Sequence, residues 1–114
     1  MNRASVWGWL WQRITAVVLI LVLGLHLYVL HFSGEHAVLT VAGVSIRLRT
    51  LIYIFVDYTL LAVALYHGLY GLRSVLLDYL SGERAARTLA VAAWIVGLVA
   101  FVYGAYALLP FIQG

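Results

Sequence analysis

Eleven formally charged side chains and four histidines carry most of the acid–base chemistry available to this 114-residue chain. The group around His67 has the most informative spacing. It reads Tyr66-His67-Gly68-Leu69-Tyr70-Gly71-Leu72-Arg73, followed by Asp78-Tyr79. On a helix, the step from His67 to Asp78 advances about 16 Å and returns to within roughly 20° of the same direction. An imidazole and a carboxylate then share one face, with Gly71 and Ser74 between them. Such an imidazole can ligate haem iron, relay protons or hydrogen-bond a neighbouring helix. Gly68 and Gly71 leave room beside it for a flat, bulky group. A haem there would need cations for its two propionates, and Arg13 and Arg73 lie toward the right end. The plainer roles of these two are membrane flanking and snorkelling to the headgroups. Asp78 and Tyr79 also read two ways. They can end a span and anchor it at the interface. A carboxylate beside a phenol donor also suits a quinone, whose carbonyl would accept from the Tyr hydroxyl.

Three further histidines lie earlier in the chain. His26 stands about 20 Å beyond Arg13 along a helix and is a second candidate iron ligand. His31 shares the Arg13 face and is its rival, although an interfacial histidine is the simpler reading. His36 falls in a connection and is assigned no role. Asp57 is about 31 Å from Asp78 along a helix, which puts it at the opposite interface as a solvated helix-end carboxylate.

These residues must be held by elements that the composition allows. Apolar residues make up 66% of the chain and charged residues 10%. A soluble domain carries roughly a quarter charged residues, because its surface faces water. The expected class is therefore an all-α integral membrane protein, since only helices or closed barrels satisfy the backbone in hydrocarbon. Three apolar stretches are long enough to cross, given about 20 residues per span. They place one membrane domain over 1–114, with helices over about 11–33, 51–80 and 88–110. The first stretch is too long for a signal-peptide core. Arg3, Arg13, Arg84 and Arg87 fall on one side and Arg47 and Arg49 on the other, which predicts a cytoplasmic N-terminus. Trp7, Trp9 and Trp11 read as an interfacial belt or as a strip that touches a peripheral partner. The net charge of +3 is scattered, so no nucleic-acid surface is expected. With no Cys, the chain holds no thiolate zinc site, iron–sulfur cluster or covalent haem.

The order Trp11-Gln12-Arg13-Ile14-Thr15-Ala16, a long apolar run, His67, Gly71-Leu72-Arg73 and Asp78-Tyr79 resembles the smaller hydrophobic anchor subunit of succinate dehydrogenase, respiratory complex II. The resemblance covers nearly the whole chain, and the spacing from His67 to Asp78-Tyr79 is its most specific part. It implies a heteromeric helix bundle with a second hydrophobic anchor subunit in the cell membrane. In that bundle His67 matches an axial haem b ligand, the companion anchor supplying the other. Tyr79 matches the donor to the quinone carbonyl, Asp78 its neighbour, and Arg13 the arginine near the propionates. Arg73 departs from anchors that carry an uncharged residue there. The run Leu25-His26-Leu27 to His31-Phe32 resembles two-haem members and implies a second haem at His26. The resemblance also implies a flavoprotein with FAD and an iron–sulfur subunit on the cytoplasmic side, with ubiquinone or menaquinone as acceptor.

Three other readings compete. An anchor of fumarate reductase would run in the opposite direction with menaquinol. A small proton-coupled transporter or channel predicts a mid-membrane carboxylate and usually four spans. A cofactor-free assembly subunit predicts a spectrum indifferent to His67.

Overall fold

The computed structural model describes residues 3–32, 40–48 and 51–113. All regular structure in them is helical: α1 (Arg3–Phe32), α2 (Val41–Leu48), α3 (Leu51–Leu77) and α4 (Glu83–Gln113). Among the described residues three stretches are long and apolar enough to cross a membrane: Val6–Phe32, Leu51–Leu77 and Glu83–Pro110. Each is apolar around its whole circumference, the pattern of a helix whose surroundings are lipid or other apolar helices. The all-α, three-span expectation holds.

The helix boundaries differ from those expected. α1 begins at Arg3 and α4 at Glu83, each several residues before its apolar run. The charged residues Arg13, Arg84 and Arg87 therefore stand on helical turns. Charge marks where a span leaves hydrocarbon, whereas a helix continues into water wherever its backbone is satisfied. The tryptophans consequently sit on a helix. Trp7 and Trp11 share a side, Trp9 points away from them, and all three are exposed. Within the first connection the unexpected helix α2 packs on α3 and α4. Its entry is marked by Thr40, whose carbonyl accepts from Val44 N–H at 2.9 Å. Glu35, His36 and Arg49 lie outside the described residues.

α3 is the central span. It packs against α1 on one side and α4 on the other, and among the described residues α1 and α4 make no contact of their own. The α3–α4 seam is set by two glycines two turns apart on α4. A methyl at Gly97 would stand 3.0 Å from Leu69 Cδ1, and one at Gly104 would stand 2.9 Å from Leu61 Cδ2. Close approach there is what small residues permit between spans. Tyr58 Oη closes the seam by donating to Ala105 O at 3.1 Å. Near the other end of α1, a methyl at Gly8 would fall on the Tyr70 hydroxyl. An open row of three helices encloses little: among the described residues only Val29 and Val56 are buried apolar side chains, 3% and 5% exposed.

The turn between α3 and α4 is tight. α3 ends at Leu77, and Asp78 and Tyr79 donate their N–H groups to Val75 O and Leu76 O, each at 3.1 Å. Gly82 adopts φ 102°, a left-handed conformation that suits glycine. Its carbonyl accepts from Ala86 N–H at 3.1 Å to start α4. Glu83 then places a carboxylate at the positive end of the helix dipole.

Candidate functional site

His67 lies on α3 where α1 crosses it, and α1 holds it at two points. Gln12 Nε2 donates to the His67 carbonyl at 3.3 Å. Thr15 Oγ1 lies 3.3 Å from His67 Nδ1. Gln12 and Thr15 are three residues apart, so both face α3 from one side of α1. Among the described residues the other ring nitrogen, Nε2, has no hydrogen-bond partner. Beside it, Gly68 is bare: nothing lies within 4 Å of where its Cβ would stand. Gly71 instead faces α1, with Gln12 Nε2 3.3 Å from its Cβ position. Gln12 Oε1 is buried with no partner. An imidazole with one nitrogen fixed, one open and a vacant glycine beside it fits a planar macrocycle approaching from outside the row. No three His, Asp or Glu side chains gather among the described residues. The donor set therefore suits a single axial ligand better than a metal ion caged by this chain.

A second histidine also bridges these two helices. His26 Nδ1 lies 3.0 Å from Asp57 Oδ1, and the two side chains are 23% and 10% exposed. This overturns the picture of Asp57 as a solvated helix-end carboxylate. Both residues lie about 9 Å in from the α1–α3 connection, because each is six residues from its helix end. That matched distance is a signal the sequence offered. Here too the imidazole Nε2 has no partner among the described residues. His31 is exposed and stacks edge-on to Phe32, with ring centroids 6.4 Å apart.

The arginines divide. Arg13 is exposed and lies over the Trp9 ring at 5.1 Å, a cation–π contact at the expected interface belt. It projects about 160° away from Thr15 on α1, so it does not meet His67 within this chain. Arg73 is turned about 120° from His67 around α3. Its guanidinium donates to Ala86 O on α4 at 3.2 Å, and its Nε is buried without a partner. Arg73 therefore ends an apolar cleft of about 470 Å³ between α3 and α4, whose walls include Tyr66, Tyr70, Trp94 and Phe101. Asp78 and Tyr79 are exposed on the turn, Tyr79 at 84%. The shared face of His67 and Asp78 thus ends one residue early, and Asp78 sits just past the helix.

Residues 1–106 match the model of a family described as succinate dehydrogenase/fumarate reductase transmembrane subunits. The chain belongs to this family. It is similar to the succinate dehydrogenase hydrophobic membrane anchor subunit of Archaeoglobus fulgidus, at 34% identity over 101 residues, 89% of this chain and 86% of that one. It is also similar to the subunit of the same name from Thermoplasma acidophilum, at 28% identity over 93 residues, 82% of this chain and 76% of that one. Membership makes this anchor one part of a multi-subunit complex. The largely unburied surfaces of its spans are then surfaces for lipid and for neighbouring subunits.

Proposed function

We propose that this anchor serves a succinate:quinone oxidoreductase, with its N-terminus and the α3–α4 turn on the cytoplasmic side. It docks the iron–sulfur and flavoprotein subunits there and pairs with a second hydrophobic anchor across the His67 side of the α1–α3 row. The observation that carries the reading is His67 itself: gripped by Thr15 and Gln12, open at Nε2, and flanked by bare Gly68. His67 Nε2 would hold the iron of a haem b, and Arg13 would supply a cation for its propionates toward the cytoplasmic end of α1. When bound, such a haem would supply a one-electron store. Arg73 donates to Ala86 O on α4 and is assigned no role in this arrangement.

Tyr79 and Asp78 border the quinone site. Their exposure on the turn leaves the phenol free to donate to a quinone carbonyl and the carboxylate free to order protons arriving from water. The iron–sulfur clusters belong to a partner subunit, since this chain has no Cys to hold them, and FAD belongs to the flavoprotein that oxidises succinate. Work in the direction of succinate oxidation is supported by the likeness to two succinate dehydrogenase anchor subunits.

A second haem at His26 is supported by Asp57. A carboxylate on Nδ1 orients an imidazole and leaves Nε2 for a metal, a common arrangement around histidine ligands. The test is a dithionite-reduced minus oxidised spectrum of the purified complex, with haem counted per flavin. His67→Ala is expected to remove one b-type haem. No haem in the parent complex, or an unchanged count in this variant, sinks the assignment. A parent count of two that drops to one in His26→Ala fixes the second site; a parent count of one removes it.

A further inference from the structure

Building on the reading of His67 as an axial ligand, we infer that Thr15 is a positioning residue that fixes the His67 tautomer and so decides which ring nitrogen faces the iron. A hydroxyl has one proton and two lone pairs. Thr15 Oγ1 lies 2.8 Å from Trp11 O and 3.2 Å from Gln12 O, two carbonyls of its own helix. It also lies 3.3 Å from His67 Nδ1. Carbonyls only accept. The hydroxyl proton therefore lies along the short contact to Trp11 O, and the lone pairs face His67. Nδ1 can then bond Thr15 only by donating, which puts the ring proton on Nδ1. Nε2 is left with its lone pair, the form that a metal requires.

The reverse arrangement gives up both carbonyl contacts. It sends the Thr15 proton to Nδ1 and puts the ring proton on Nε2, where it blocks ligation. Inside a span no bulk water is available to exchange these roles. Gln12 adds the second constraint by holding the His67 carbonyl, so the ring and backbone of one residue are referenced to the same turn of α1. A donor bond from Nδ1–H also makes Nε2 a stronger electron donor to a metal.

The test uses the purified complex with Thr15→Val, which keeps the shape and removes the hydroxyl, and Thr15→Ser, which restores it. The readouts are haem retained per flavin under challenge with excess apomyoglobin and the haem midpoint potential. Thr15→Val is expected to weaken haem retention about tenfold, the lower end for loss of such an outer partner. Its midpoint should rise, because a poorer donor favours the ferrous state. Thr15→Ser should return both toward the parent. Parent-like values in Thr15→Val overturn the inference while haem loss in His67→Ala keeps the ligand reading intact. Equal loss in Val and Ser shows a packing role and also overturns it. Haem retained in full by His67→Ala overturns the ligand reading itself, and the Thr15 role with it.

Discussion

The α1–α3 seam carries two histidine bridges that are built differently. His67 projects from α3 and is met by a neutral hydroxyl and a neutral amide on α1. His26 projects from α1 and is met by the carboxylate of Asp57 on α3. The neutral bridge costs little to bury and sets a tautomer without adding charge. The carboxylate bridge places a formal charge in a part of the seam where the acid is 10% exposed. Such a group is tolerated only while paired. The neutral node is therefore fitted to hold a ligand, and the acidic node is the more consequential one for holding the two helices together.

Breaking each node should show the difference. Asp57→Leu leaves the His26 Nδ1–H group without its acceptor. The expected loss in thermal denaturation of the detergent-solubilised complex is about 1–3 kcal/mol, the cost of a buried polar group left without its partner. His26→Leu with Asp57→Leu should recover most of it, since an apolar pair suits the seam. Thr15→Val should cost only about 0.6 kcal/mol of stability, the average for a hydrogen bond between spans. Equal losses at the two nodes would erase the contrast.

The bare glycines sharpen the comparison from the ligand side. Gly68 adjoins His67 and Gly24 precedes His26 by two residues, and neither has an atom within 4 Å of its Cβ position. Gly68→Leu should at least halve haem per flavin, because the new side chain enters the side of the row where the haem would lie, and flavin retained by the purified complex checks that assembly survives. Gly24 is turned about 160° from His26 around α1, so Gly24→Leu should leave the haem count unchanged and serves as the control for Gly68→Leu.

The fold was largely legible, because a chain with so few charges has few soluble alternatives, and three apolar runs of span length leave little choice. The helix ends were not. Hydropathy reports where lipid stops, and the Arg3 and Glu83 turns lie beyond it. Helix α2 was hidden because it is only eight residues long and lies in a connection read as a loop, although its apolar and polar positions segregate more clearly than those of the spans. His67, Asp78 and Tyr79 were singled out through their spacing along the chain. Thr15 was not singled out, and Asp57 reads as a solvated helix-end carboxylate, because their partners lie on another helix. The matched six-residue distances of His26 and Asp57 from their helix ends are the one trace of that register in the sequence. Arg73 shows the converse. Its sequence neighbourhood pointed to His67, while the turn at Gly82 brings Ala86 back to it instead.

Gly71→Ala gives the smallest expected change and divides the two holds on His67. Alanine in place of glycine in a helix interior gains about 0.8–1 kcal/mol. The added methyl would stand 3.3 Å from Gln12 Nε2, so the amide must move by a few tenths of an ångström. Weakening its bond to the His67 carbonyl costs about 0.6 kcal/mol on the scale of interhelical bonds in membranes. The two effects nearly cancel, and thermal stability should stay within about 0.5 kcal/mol of the parent. The haem midpoint is the informative readout. It should not move, because Thr15 and Nδ1 are untouched by the substitution. A rise as large as that of Thr15→Val would mean that the amide on the backbone, rather than the hydroxyl on the ring, orients the imidazole.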